Sequence, residues 1–230
     1  MKYFLRSLAA IGIVMLATIV AEAQLNLPLK KQLDSIYRTD QLYRDYLSSI
    51  ENGTVMDSLS TAFRVTKEDL PALLWTKQNE IDRNNLSLVE RLFSKYGYPG
   101  KTLVGTPTNE AAWFVIQHSP AIETYYPRIR QAGRQNEIPW YLVAMMQDRL
   151  LSQQGKPQLY GTQVLCYPPK EKPDHAECFV WLVKKPMGVN KRRRKAGFPN
   201  SVEENATQLG VHYKVLTRRQ VKKLYETPQE

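Results

Sequence analysis

Residues 111–118, reading AAWFVIQH, deliver one imidazole from an otherwise apolar run. Histidine is the side chain that changes charge near neutral pH, so His118 is a candidate for general acid–base work or for ligand recognition through its ring nitrogens. A neighbouring carboxylate would fix its tautomer and raise its pKa, while burial would act the other way. Asp148 or Asp82 is the acid expected to orient the ring, with Arg44 or Arg149 as charge stabiliser. His118 and Asp148 are thus the candidate catalytic residues. No nucleophile accompanies them: Ser119 adjoins the histidine only in sequence, and the chain lacks GxSxG and HExxH motifs.

Three other segments place polar residues on faces that should be apolar. Asp40 and Arg44 share a helical face with Leu33, Ile36, Tyr37 and Leu47. Gln78, Asp82 and Asn85 fall on a face with Leu74, Ile81, Leu88 and Leu92, and Gln147, Asp148 and Arg149 follow the apolar run 142–146. Burying a polar group is costly unless it is paired. One such intrusion is an ordinary buried salt bridge, but several imply a shared network or a lined pocket. Asp40, Arg44, Asp82, Asn85, Gln117, Arg149, Tyr160 and Gln163 are therefore candidates for a ligand-binding or structural polar network, expected to converge on His118. A satisfied core histidine among structural ion pairs stays open beside the catalytic reading. Gly161, in the stretch Gln158-Leu159-Tyr160-Gly161-Thr162-Gln163, permits close backbone approach to a ligand or to packed neighbours.

These residues need helices to position them. Apolar spacing predicts a helix over 29–50, ended by Asn52-Gly53, then a polar connection to Thr66 and a second helix from there to about Tyr96. Gly97-Tyr98-Pro99-Gly100 reads as a turn. A third helix from about Thr108 carries AAWFVIQH and is apolar all round, so it is central. Ser119-Pro120 restarts the chain as a fourth helix, and Pro139 opens a fifth over 140–152. Segments 158–167 and 178–183 read as two strands joined by a Pro- and charge-rich loop, and 189–195 and 201–209 as short helices. The expected fold is mainly α: a single helical domain over 24–210, with a small disulfide-stapled β-hairpin at about 158–183 and a loosely held basic tail over 211–230.

Lys2 and Arg6, an apolar run over 8–20 and Ala21-Glu22-Ala23 have the pattern of a secretory signal peptide over 1–23. The run is short for a span, which needs roughly 20 residues, and no later segment is apolar enough to form one. Cleavage near Ala23 would give a secreted or periplasmic protein. The formal net charge is +10, and losing Lys2, Arg6 and Glu22 leaves +9. The two cysteines, Cys166 and Cys178, suit a disulfide in that compartment better than a metal site, since no second ligand pair at zinc spacing accompanies them. No metal or other cofactor is implied. The basic run over 191–195 suits anionic surfaces or a solvated helix face; with no nucleic-acid-binding motif beside it, no nucleic-acid partner is expected.

Several short motifs occur together in order. They are Asp40-Gln41-x-x-Arg44, Asp82-x-x-Asn85, Tyr98-Pro99-Gly100, Leu103-Val104-Gly105, Ala111-Ala112-Trp113 and Gln117-His118. Asp148-Arg149, Gly155-Lys156, Tyr160-Gly161-Thr162-Gln163 and Val189-Asn190-x-x-Arg193-Arg194-x-x-Gly197 complete the set. As a set they resemble a bacterial exported family known as domain of unknown function 6624. The resemblance implies an enveloped or secreted single domain and brings no activity with it. Gln147 departs from the acid expected before Asp148-Arg149, which weakens any mechanism needing adjacent carboxylates, and the Cys166–Cys178 hairpin looks like a local elaboration.

Three functions follow as expectations. The leading one is an exported helical domain with a polar, ligand-binding pocket around His118, its partner a small molecule or an envelope component. The second is a hydrolase- or lyase-type enzyme with His118 as general acid/base. The third is an envelope interaction module that uses a basic C-terminal surface, residues Arg192, Arg193 and Arg194 included.

Overall fold

Asn26 and Pro28 start the first helix, α1 (Leu27–Ser49): the Asn26 side chain accepts the Leu29 N–H, and proline is tolerated in a first turn whose N–H groups have no helical partner. This computed structural model describes residues 24–172 and 174–225, so the signal-peptide expectation at 1–23 lies outside the described residues. Leu29, Leu33, Ile36 and Asp40 form the buried stripe of α1, a carboxylate among aliphatics as the spacing implied. Helix α2 (Gly53–Phe63) occupies the stretch expected to be a polar connection. Asn52 caps it, and Phe63 packs against Tyr43 and Tyr46 of α1.

Helix α3 (Leu70–Tyr96) packs more extensively on α1 than any other pair of elements does on one another. Asn85 reaches the Ile36 carbonyl while Gln78 reaches that of Asp40. Rising numbers on one helix meet falling numbers on the other, so the two run antiparallel. After the short α4 (Lys101–Val104) and a 3₁₀ turn (Thr108–Glu110), α5 (Ala111–Gln117) threads the centre, with Ala111, Ala112, Trp113, Val115 and Ile116 all buried. The Trp113 indole donates to the Leu142 carbonyl at 2.9 Å, which satisfies its one polar group inside the core. Helix α6 (Ile122–Arg134) follows the Ser119-Pro120 break, where the Ser119 hydroxyl accepts the Ala121 N–H. Helix α7 (Trp140–Gln153) closes the main core with Leu142, Val143 and Met146.

The rest of the chain is smaller in scale. Strands β1 (Val164–Tyr167) and β2 (Glu177–Val180) pair antiparallel with Cys166 opposite Cys178, and the two cysteines form a disulfide. The fold is thus mainly helical with a disulfide-stapled hairpin. The strands are shorter than the sequence suggested, because Leu159, Tyr160 and Thr162 give their N–H groups to the Asp148 carboxylate rather than to a ladder, with backbone bonds across to 181–184 only at Gln158 and Gln163 among the described residues. Helices α8 (Val189–Ala196) and α9 (Val202–Gln208) match the expected short helices, the latter opened by a Ser201–Glu204 capping box. The supposed loose tail differs from expectation. Thr217 caps α10 (Arg218–Leu224), Val221 packs into the cluster of Phe179, Trp181 and Leu182, and the Tyr225 ring stacks on Phe179 at 4.6 Å. Among the described residues no helix is long and apolar enough to cross a membrane.

Candidate functional site

Two helices lying side by side in the same direction build the centre of the site. Tyr37 of α1 meets Phe114 of α5, ring centroids 5.0 Å apart, and about one turn further on Asp40 meets His118. The His118 Nδ1 lies 3.1 Å from Asp40 Oδ2, and Gln41 Nε2 donates to the same oxygen at 2.6 Å. With a carboxylate accepting there, the network assigns the ring proton to Nδ1. The other nitrogen, Nε2, faces the Gln117 amide at 3.2 Å.

Arg44 links this pair to α3. Its Nη2 donates to both oxygens of Asp82 at 2.6 Å, while its Nε stands 3.7 Å from Asp40 Oδ2. Gln78, fully buried, donates to Asp82 Oδ1 at 2.7 Å and to the Asp40 carbonyl at 3.1 Å. From α7, Arg149 Nη1 donates to the Gln117 carbonyl at 2.9 Å. Burial and the neighbouring Arg44 both lower the Arg149 pKa, burial more. Asp40 is sealed, but the side chains of His118, Arg44 and Asp82 keep 16%, 20% and 18% of their surface, so the cluster opens to solvent on one side. Asn85 sits at the edge, donating to the Ile36 carbonyl and to Thr39.

Three buried polar atoms of this cluster have no hydrogen-bond partner among the described residues: Asp40 Oδ1, Gln78 Oε1 and Arg44 Nε. Buried polar groups are rarely left so. Two acceptors and a donor therefore remain available within a few side chains of His118. No group of three or more His, Cys, Asp and Glu suited to a metal occurs among the described residues; the groups here are mixed carboxylate, amide and guanidinium.

Asp148 does something else. It is fully buried, and its carboxylate accepts from the Leu159, Tyr160 and Thr162 N–H groups and from the Thr162 hydroxyl, at 2.6 to 3.2 Å. Burial pushes its pKa up to about 6, against the pull of those donors. The acid on the His118 ring is Asp40, and neither Asp148 nor Asp82 touches it among the described contacts. Tyr160 and Gln163 belong with Asp148: the Tyr160 carbonyl accepts from Arg193, and the Gln163 amide donates to Thr162. Gly161 there has φ +72°, and its carbon lies so close to Val202 that a methyl group would collide. Gln158 is a member that sequence reasoning missed; it is buried and holds the Gln163 and Trp181 carbonyls. The expected single convergence is thus two clusters, His118–Asp40–Arg44–Asp82–Gln117–Arg149 and the Asp148-held loop.

The basic run is partly consumed by structure. Arg193 is fully buried, donating to the Asn200 and Tyr160 carbonyls and lying over the Phe198 ring. Arg192 donates to the Leu159, Lys184 and Lys185 carbonyls. Only Lys191, Arg194 and Lys195 of the run are exposed.

A family model matches residues 40–216, a span that begins at Asp40 and contains both clusters. The chain belongs to this family, DUF6624, a family of unknown function. No curated protein and no solved structure matches the chain.

Proposed function

We propose that this member of the family is an exported small-molecule protein whose site, centred on His118, takes an anionic ligand. The observation that carries the reading is Arg149. Its guanidinium is substantially buried, stands close enough to Arg44 to feel its charge, and donates only to a carbonyl and an amide among the described contacts. A cation in that setting is completed by an anion, and a planar guanidinium suits a carboxylate or phosphoryl group. Arg44 Nε offers a second donor, and the Gln117 amide covers the ring nitrogen a ligand would meet.

The chemistry available is proton transfer. Asp40 holds the ring with its proton on Nδ1, so His118 Nε2 can accept a proton once Gln117 moves aside. Such acid–base help is worth about 10²–10⁴-fold in rate. Binding comes first in this reading, and hydrolase- or lyase-type turnover is its extension. The disulfide supports a compartment outside the reducing cytosol, consistent with loss of the leader near Ala23. A docking module built on Arg192 and Arg193 finds less support, because both side chains hold backbone carbonyls.

A thermal-shift panel of small carboxylates and phosphates, run on the chain from Gln24 onward, tests this. A ligand at about a hundred times its Kd adds about 2.7 kcal/mol, or about 5–10 °C in Tm for a chain of this size. The expected result is such a shift in the native chain and its loss in Arg149→Gln. Equal shifts in both proteins, or none from any anion, would overturn the reading.

A further inference from the structure

A second recess lies on the same α1–α5 seam, on the far side of Tyr37 and Phe114 from His118. Asp34, Tyr37, Pro107, Thr108, Glu110, Ala111 and Phe114 enclose a groove of about 140 Å³. A cavity of about 150 Å³ holds benzene, so the groove fits a group of similarly few heavy atoms. Its walls are two aromatic rings, Tyr37 and Phe114, inclined at 62°. Tyr37 is 39% exposed, so the groove has an open side.

Its ionisable lining, Tyr37 aside, is two carboxylates, in a chain of net charge +10. Asp34 is already answered: Lys30 donates to one oxygen and the Thr108 hydroxyl to the other. Glu110 is not. It is half-buried, and its side-chain carboxyl makes no hydrogen bond or ion pair with any described residue. Lys31 and Arg38 stand beyond Asp34, along a neighbouring depression that shares Asp34 and Tyr37 with the groove. Lys30 also donates to the Thr108 hydroxyl at 2.6 Å, but no described cation bonds or pairs with the Glu110 carboxyl.

We infer that this groove is a binding site for a small organic cation, an ammonium group of a free metabolite, seated against the Tyr37 and Phe114 rings with its charge toward Glu110. Aromatic faces attract alkylated ammonium groups through their quadrupoles, most strongly where water is excluded. A carboxylate that has lost part of its hydration gains most from a counter-charge. The positive neighbours on the Arg38 side keep a bound cation at the Glu110 end. This site is independent of anion binding at His118.

Choline chloride titrated into the isotope-labelled protein, read on the amides of Thr108, Glu110 and Ala111, tests the inference, with sodium chloride as the salt control. Saturable shifts are expected for choline, and binding about tenfold weaker or worse for its neutral carbon isostere dimethylbutanol. Glu110→Gln should weaken choline by about tenfold while Arg149→Gln leaves it unchanged. Tyr37→Leu, at an exposed ring, should weaken it similarly and carries the test if Glu110→Gln fails to fold. Equal affinity for the isostere would show a merely apolar groove. That result, choline binding indifferent to the groove variant that folds, or the absence of any saturable shift would each overturn the proposal.

Discussion

Beside His118 and at Asp148 a buried carboxylate is put to different uses, and its neighbours decide which. The His118 ring has one carboxylate, Asp40, and one face toward solvent. Asp148 has four donors aimed at it and a raised pKa of about 6. Its ordinary value is 3.8, so the folded state holds the proton more tightly than the unfolded chain does. That proton-linked stability is fully present below pH 3.8 and is lost as pH rises through about 6, a difference of about 3 kcal/mol. An NMR titration of the Asp148 side-chain carboxyl should show a midpoint near 6; a midpoint at or below the ordinary value would mean that the four donors outweigh burial. Helical spacing made Asp40, Arg44 and Asp82 legible as polar intruders on apolar faces. It left the partner of His118 unassigned, because that depends on the parallel pairing of α1 with α5, a tertiary fact with no local signal. Glu110 was missed for a related reason: one acid before an apolar helix reads as a helix-start residue until the groove is seen.

The long helices were readable because each carries a sustained apolar period, with Ser119-Pro120 marking the start of α6 and Pro139 that of α7. The short ones were not. Helix α2 carries Val55, Met56, Leu59 and Phe63 at helical spacing, but Asn52-Gly53, whose asparagine caps it, reads equally as the end of the helix before. Helix α10 is basic along most of its length; Val221 packs against the hairpin cluster and Arg218 donates to the Gly155 carbonyl. That docking makes the hairpin part of a larger unit rather than an isolated ribbon, which alone would be marginal. Replacing Cys166 and Cys178 together by Ser removes a short loop closure worth about 3 kcal/mol. If hairpin, α10 and the helical core unfold as one, Tm falls by about 6–12 °C in calorimetry. An unchanged main transition with an early separate one would show that the hairpin and α10 melt alone.

Across the whole molecule, one seam organises both proposed sites. The parallel contact of α1 with α5 sets Asp40 against His118 at one end and Tyr37 against Phe114 beside the Glu110 groove at the other. α3 backs the first with Gln78 and Asp82, and α7 supplies Arg149 from beyond α5. The Asp148 loop stands behind, tying α7 to Tyr160 and Thr162 and, through Arg193, to α8. The account therefore requires that anions act at one place in a molecule of net charge +10. Inorganic phosphate and acetate, the simplest phosphoryl and carboxyl anions, can be titrated into protein labelled with ¹⁵N at arginine and histidine. Saturable shifts are predicted at the Arg44 and Arg149 guanidinium groups and the His118 ring for at least one of the two anions, with the exposed Arg194 unmoved. Shifts of equal size at Arg194, or none at the three site residues, would contradict it.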